Sequence, residues 1–130
     1  MPRPSSRYPT ELELEILKVL WRDDTASVRE VRDALAGFRD LAYTSVMTIM
    51  NIMARKGYLK RTKMGKSYIY EARVTEKATR RGILGDLVNR LFSGSATALM
   101  VNLIETGDID DNELDELRSL LDEKVKEEPQ

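Results

Sequence analysis

Residues 42–55 read AYTSVMTIMNIMAR, and the way this stretch divides at 3.6 residues per turn governs the reading of the whole chain. Val46, Ile49, Met50 and Met53 recur at i, i+3, i+4 and i+7, which predicts a helix with one buried face. Thr44, Thr48, Asn51 and Arg55 form a second ridge opposite that stripe. A solvated helix face ordinarily mixes Glu with Lys for i,i+4 pairing. This ridge instead offers hydroxyls, an amide and a guanidinium, with no carboxylate. Those groups hydrogen-bond phosphates and base edges in a major groove. A core helix with a Thr-rich outer face would look the same, so the flanking sequence has to decide.

From Leu41 to Tyr70, thirty residues between Asp40 and Glu71, there is no acidic residue. Arg55, Lys56, Lys60, Arg61, Lys63 and Lys66 all fall inside that window. The whole chain carries 21 basic and 22 acidic residues, so the window reflects segregated charge and not a basic composition. An acid-free helix running into a basic segment predicts a polyanion footprint, with nucleic acid as the partner.

Length and composition set the outer limits. At 130 residues there is room for one domain, or a small domain with an accessory module. No apolar run reaches membrane-spanning length, and the opening MPRPSSRYP lacks an apolar h-region. The chain has no Cys and no His. That removes disulfides, thiolate metal sites, the usual triads and histidine acid–base chemistry. A cytoplasmic protein is expected, with no membrane insertion, no cofactor or metal, and no enzymatic activity. Carboxylates such as Glu11 and Glu13 are the alternative for an enzyme, but they occupy a capped first turn without a polar cluster around them.

Taken in order, residues 1–9 hold three of the four prolines and are expected to form a disordered tail. Thr10 and Glu13 make a capping box for a helix to about Trp21, with Leu12, Ile16, Val19 and Leu20 facing inward. Trp21 is read as a core anchor near the end of that helix. Ser27 and Glu30 make a second capping box, for a short helix whose stripe is Val28, Val31 and Leu35. Arg29 and Arg32 project from it, equally suited to phosphate contact and to plain solvation. Gly57 suits the left-handed position that ends the central helix, where Arg55 and Lys56 complement the dipole. Residues 58–63 and 67–71 are strand-length and are joined by Met64-Gly65-Lys66, a hairpin with cations at its tip. Tyr68 and Tyr70 share one strand face, so at least one is expected to pack on the helices. Three helices followed by a hairpin make a winged helix-turn-helix, which favours double-stranded DNA and poises the wing over its backbone.

The character changes after Ala72. Thr75 can cap a helix with Leu84, Leu87, Val88 and Leu91 in register, and Ser95 another with Ala96, Leu99, Met100 and Leu103. Asp110 and Glu113 open a last helix carrying Leu114, Leu117, Leu120, Leu121 and Val125. From Glu105 onward eleven acidic residues face three basic ones, so this end will avoid DNA. Three such helices, about fifty residues, bury too little surface to stand alone. Pairing with a second copy is the expectation, and a monomeric helical cap is the alternative. The expected fold class is mostly α with a small β-hairpin: tail 1–9, winged-helix DNA-binding domain 10–72, three-helix dimerisation region 73–130.

Four segments, ELEILKVLW (13–21), SVREVRDAL (27–35), AYTSVMTIMNIMARKGYLKR (42–61) and GKSYIY (65–70), resemble the penicillinase-repressor family of bacteria, the BlaI/MecI/CopY group. Members show a similar YTTVMT helix, a KKG or RKG end and a GRxYxY wing. The resemblance covers about residues 10–126 and is most specific from the central helix to the wing. It implies a dimeric winged-helix repressor on a palindromic operator, with the C-terminal helices entwined across the two-fold axis. By motif position it makes Tyr43, Thr44, Ser45 and Thr48 operator contacts, and Lys63 and Lys66 wing contacts. Copper-responsive members carry a C-terminal cysteine motif, which this chain lacks. In the β-lactam branch a membrane-bound metalloprotease sensor leads to cleavage at an Asn-Phe bond in the dimerisation helix. The similar position here is Asn102-Leu103, with Asn kept and Phe replaced by Leu. A winged-helix module that docks an acidic protein, with no operator of its own, is the competing reading. Strong salt dependence together with preference for one duplex would exclude it.

Overall fold

Two reciprocal capping boxes start the fold. In the computed structural model, which describes residues 8–127, Thr10 and Glu13 each accept the other's backbone N–H at the start of α1 (Glu11–Asp23). Ser27 and Glu30 repeat the exchange for α2 (Val28–Leu35). Each box satisfies two donors that a helix start otherwise leaves open. The third helix, α3 (Tyr43–Lys56), has no side-chain cap, and it ends at Gly57 with φ 89°. That left-handed conformation costs a glycine little because it has no Cβ.

The apolar stripes of the three helices meet in one core. Ile16, Leu17 and Leu20 from α1, Val31 and Leu35 from α2, and Val46, Met50 and Met53 from α3 are all buried in it. Ile49 and Trp21 pack against its edge, half-buried. The Trp21 indole donates to the Val74 carbonyl at 2.9 Å, so the expected anchor also ties α1 to the chain beyond the hairpin.

Strands β1 (Leu59–Met64) and β2 (Ser67–Ala72) form an antiparallel pair in which Arg61 faces Tyr70 and Lys63 faces Tyr68. Directly opposed residues point to the same side of a sheet. Leu59, Arg61, Lys63, Tyr68, Tyr70 and Ala72 therefore share one face, buried at its base and open toward its tip. Gly65 makes the turn with φ 65°. On the other side of β2, Ala26 exchanges both backbone hydrogen bonds with Tyr70, at 3.0 and 2.9 Å. The link between α1 and α2 thereby fixes the hairpin to the helices.

The chain divides into two compact units, Met1–Ile83 and Leu84–Gln130. The division falls inside α4 (Glu76–Leu91), whereas the change in sequence character comes earlier, after Ala72. The first turns of α4 stay with the helices that precede them. The Tyr8 ring lies on Gly82, where a Cβ would come within 2.9 Å of the ring edge. Tyr8 and Pro9 are half-buried, while the rest of the expected tail, 1–7, lies outside the described residues.

In the second unit, α5 (Ala96–Glu105) and α6 (Asp111–Glu127) follow α4. Thr75, Ser95 and Asp110 accept the N–H of Ala78, Ala98 and Glu113, so all three helices start at their expected caps. No described residue of α4, α5 or α6 is buried. Leu84, Leu87, Leu91, Leu103, Leu114 and Leu121 are exposed, and Val88, Leu99, Met100 and Leu117 are only half-buried. The stripes exist, but this chain alone does not close them off from water.

Among the described residues, one charged group is buried. The Glu13 side chain is 5% exposed and accepts from Lys56 Nζ at 2.9 and 3.2 Å. Removing one member of such a pair strands the other's charge. The exposed pair Lys60–Glu71, at 3.8 Å, carries no such penalty. Lys56→Ala is expected to lower unfolding free energy in urea by about 3 kcal/mol, and Lys60→Ala by less than about 0.5 kcal/mol. Equal losses would contradict this assignment.

Candidate nucleic-acid interface

The buried stripe of α3 fixes which way its other side faces. With Val46, Met50 and Met53 in the core, Tyr43, Thr44, Ser45, Met47, Thr48 and Arg55 are left exposed. The Thr48 hydroxyl donates to the Thr44 carbonyl at 2.9 Å. Its proton is therefore used within the helix, and its lone pairs remain to accept from an amino group outside it.

Asn51 behaves differently from its neighbours on that ridge. It is half-buried, and its Oδ1 accepts from the Tyr70 hydroxyl at 2.8 Å and from Arg61 at 3.1 Å. An amide oxygen has two lone pairs, so both are occupied. Two-point reading of an adenine needs that oxygen as well as the amide nitrogen. Asn51 joins α3 to the hairpin, and only its NH2 remains for anything else.

Tyr70 sits opposite Arg61 and is 1% exposed. Burial raises its phenol above the ordinary value of 10.0, with the adjacent guanidinium opposing the rise. The hydroxyl is thus a protonated donor to Asn51 around neutral pH. Tyr68, nearer the tip, is exposed, and Arg61 lies over its ring at 4.2 Å from the centroid. Of the two tyrosines on one strand face, one enters the core and the other carries a cation.

Between α2, α3 and the hairpin runs a groove of about 560 Å³, lined in part by Arg29, Tyr43, Met47, Asn51, Lys66 and Tyr68. A second hollow of about 480 Å³ on the far side of Asn51 is lined by Asn51, Ala54, Arg55 and Arg61. Among the described residues no carboxylate lines either one. Arg29, Tyr43, Asn51 and Lys66 are thus brought to one groove and Arg55 to the next. Thr44, Ser45 and Thr48 stand exposed on α3 outside both linings, as does Lys63 on β1.

The footprint is also narrower than the sequence window. Lys56 is turned to Glu13 and Lys60 to Glu71, so two of its six cations are paired with carboxylates from outside the window. Met47 and Tyr68, exposed and absent from the sequence reading of contacts, join the surface, and so does Arg61, which belongs to the basic window but not to the named contacts. Period-two alternation from Lys63 would have placed Arg61 on its face. An i+4 step from Tyr43 would have found Met47.

A model of the penicillinase repressor family matches residues 9–123 of the chain. The chain belongs to the penicillinase repressor family. It is a family of transcriptional repressors and not a class of enzymes. The transcriptional regulator BlaI of Mycobacterium tuberculosis is 33% identical, over 87% of this chain and 82% of that protein. The methicillin resistance regulatory protein MecI of Mammaliicoccus sciuri is 25% identical, over 86% of this chain and 91% of that protein. The penicillinase repressor of Bacillus licheniformis is 24% identical, over 88% and 89%. The solution structure of the DNA binding domain of the repressor BlaI overlaps at 25% identity and a TM-score of 0.48, covering 52% of this chain and 83% of that one.

The Tyr70 phenol yields a test in this penicillinase-repressor family member. A folded-state pKa above the ordinary value means stability is complete below about pH 10 and falls as pH rises through the raised value. Tyr70→Phe should cost about 1 kcal/mol in urea near neutral pH, for the lost hydrogen bond. It should also lose less further stability than the parent when the pH is taken above about 10.5. Identical alkaline profiles would remove Tyr70 as their source.

Proposed function

We propose that this protein is a sequence-specific DNA-binding transcriptional repressor that acts as a homodimer on a palindromic operator. The observation that carries the reading is the pair of grooves between α3 and the hairpin, lined by no carboxylate among the described residues and fringed by Arg29, Arg55, Lys63 and Lys66. Membership in a repressor family supports it. Thr44, Ser45, Thr48 and Tyr43 stand on the part of α3 that would enter the major groove, with Thr48 offering an acceptor to a base amino group. Lys63 and Lys66 hold the sugar-phosphate backbone beside it. Among the described residues no single helix is long and apolar enough to cross a membrane, and a chain that works on an operator works in the cytoplasm.

The exposed stripes of α4, α5 and α6 support a second copy as the partner. Leu84, Leu87, Val88, Leu91, Leu99, Met100, Leu103, Leu114, Leu117 and Leu121 would form the shared core. Two-fold symmetry then presents two reading helices to two half-sites, which is why the operator would be palindromic. Derepression proceeds by cleavage between Asn102 and Leu103, under a membrane-bound metalloprotease sensor system. Both residues are exposed in α5, a ten-residue helix with no buried side chain, so opening it locally costs little. The cut removes Leu103, Ile104 and all of α6, at ~2–5 kcal/mol for each leucine buried in the dimer. Separated chains lose the advantage of holding both half-sites at once.

A duplex recovered by selecting genomic fragments on the purified protein serves for the tests. Lys63→Ala and Lys66→Ala should each flatten the salt dependence of binding by about one unit per lost phosphate contact, on any duplex. Thr48→Ala should instead narrow the gap between recovered and random duplex by ~1–3 kcal/mol. If all three variants act alike on both duplexes, the division of labour is wrong. If the unaltered protein shows no preference for any duplex, it is a protein-docking module.

Sedimentation tests the assembly. The full chain should run as a dimer at micromolar concentration, and a chain ending at Asn102 as a monomer with weakened operator binding. A full-length monomer would overturn the dimer. Repressor that stays full length on immunoblots while its target gene is induced would overturn proteolytic release.

A further inference from the structure

Some basic side chains of this protein are held by acids. Lys18, Arg22, Arg32, Lys56, Lys60, Arg80 and Arg90 each pair with a carboxylate. Arg61 is held otherwise. Its NH1 donates to Asn51 Oδ1 at 3.1 Å, and its guanidinium lies over the Tyr68 ring at 4.2 Å. Among the described residues no carboxylate pairs with it. Neutral partners on two sides fix the fork in place and leave its charge uncancelled.

The anchor behind this arrangement is rigid. Asn51 is itself held by the hydroxyl of Tyr70, whose ring is buried and whose backbone is bonded to Ala26. Arg61 thus stands at the junction of reading helix and hairpin, beside the second hollow and the larger groove alike. Where a helix occupies the major groove and a hairpin reaches the flank, the strand passing between them is sugar-phosphate backbone. A guanidinium with free donors, already oriented, matches two oxygens of one phosphate.

We propose that Arg61 is a DNA contact, a clamp on the backbone phosphate between α3 and the hairpin, with Asn51 as the positioning residue that aims it. The proposal rests on the reading of the protein as a duplex-DNA repressor. Arg61 contributes affinity and register without reading bases, and Asn51 acts through Arg61.

The test uses the full-length protein and the duplex recovered from genomic selection, with affinity measured over a series of salt concentrations. Arg61→Gln can still donate to Asn51 but has lost its charge. It should lower the slope of log affinity against log salt by about one unit for each half-site held, with the ratio of recovered to random duplex unchanged. Arg61→Lys keeps the charge and should keep the slope, binding several-fold more weakly for want of the fork. Asn51→Ala should also keep the slope and weaken binding several-fold. Replacing single phosphates by neutral methylphosphonates should find one position per half-site where the loss from Arg61→Gln disappears. A sequence-specific protein whose Arg61→Gln variant retains the full slope overturns the clamp, as does a lowered recovered-to-random ratio, which would make Arg61 a base reader. Failure of the parent protein to prefer the recovered duplex strikes the repressor reading itself, a distinguishable result.

Discussion

The first unit is built around the way Tyr70 is held. It stands opposite Arg61 in the hairpin, its backbone N–H and carbonyl both bond Ala26, its ring fills the core, and its hydroxyl ends on Asn51. These contacts reach different segments of the chain. The hairpin is therefore not a loose appendage of the helices. A two-stranded hairpin is marginal by itself in water, and this one gains an edge partner from the link between α1 and α2. Its base is in the core and only its outer half is free to meet another molecule.

That constraint gives the charged surface its shape. The cations that matter for a polyanion are those that no carboxylate neutralises, and their positions follow from which side of the hairpin and of α3 is buried. Alternation places Arg61 and Lys63 on the α3-facing side and Lys60 on the other, across from Glu71. Helical periodicity sends Arg55 outward, while Lys56, one residue on, reaches back to Glu13. Six basic residues between positions 55 and 66 become a sorted set, some structural and some facing a partner.

Much of this was legible beforehand because it is local. Caps at Thr10, Ser27, Thr75, Ser95 and Asp110, the stripe Val46, Met50 and Met53, the left-handed Gly57 and the turn at Gly65 each follow from a few adjacent residues. The bridge from Ala26 to Tyr70, the reach of Lys56 to Glu13 and the double use of Asn51 Oδ1 join residues that nothing in the sequence pattern links. Asn51 shows the limit best. As a ridge residue it looked like a base reader, and only the arrival of β2 reveals that its oxygen is already occupied. Met47 was hidden for the opposite reason, since an apolar residue outside the buried stripe fits neither the core nor a ridge of polar contacts. The leucines of α4, α5 and α6 were recognisable as stripes, but a single chain does not say what covers them.

Glu13 has a further consequence. A single carboxylate both accepts the Thr10 N–H that starts α1 and takes the ammonium of Lys56 at the end of α3. A proline at position 10, which removes that N–H, and a substitution at position 56 thus act on one shared acceptor although they lie far apart in the chain. Their effects will not add, because whichever partner goes first alters what the carboxylate offers the other. Tolerance at one position is conditional on the residue at the other. Drift at the outset of the chain is in this way restrained by the helix that lies on the proposed DNA face, although Thr10 lies outside that face.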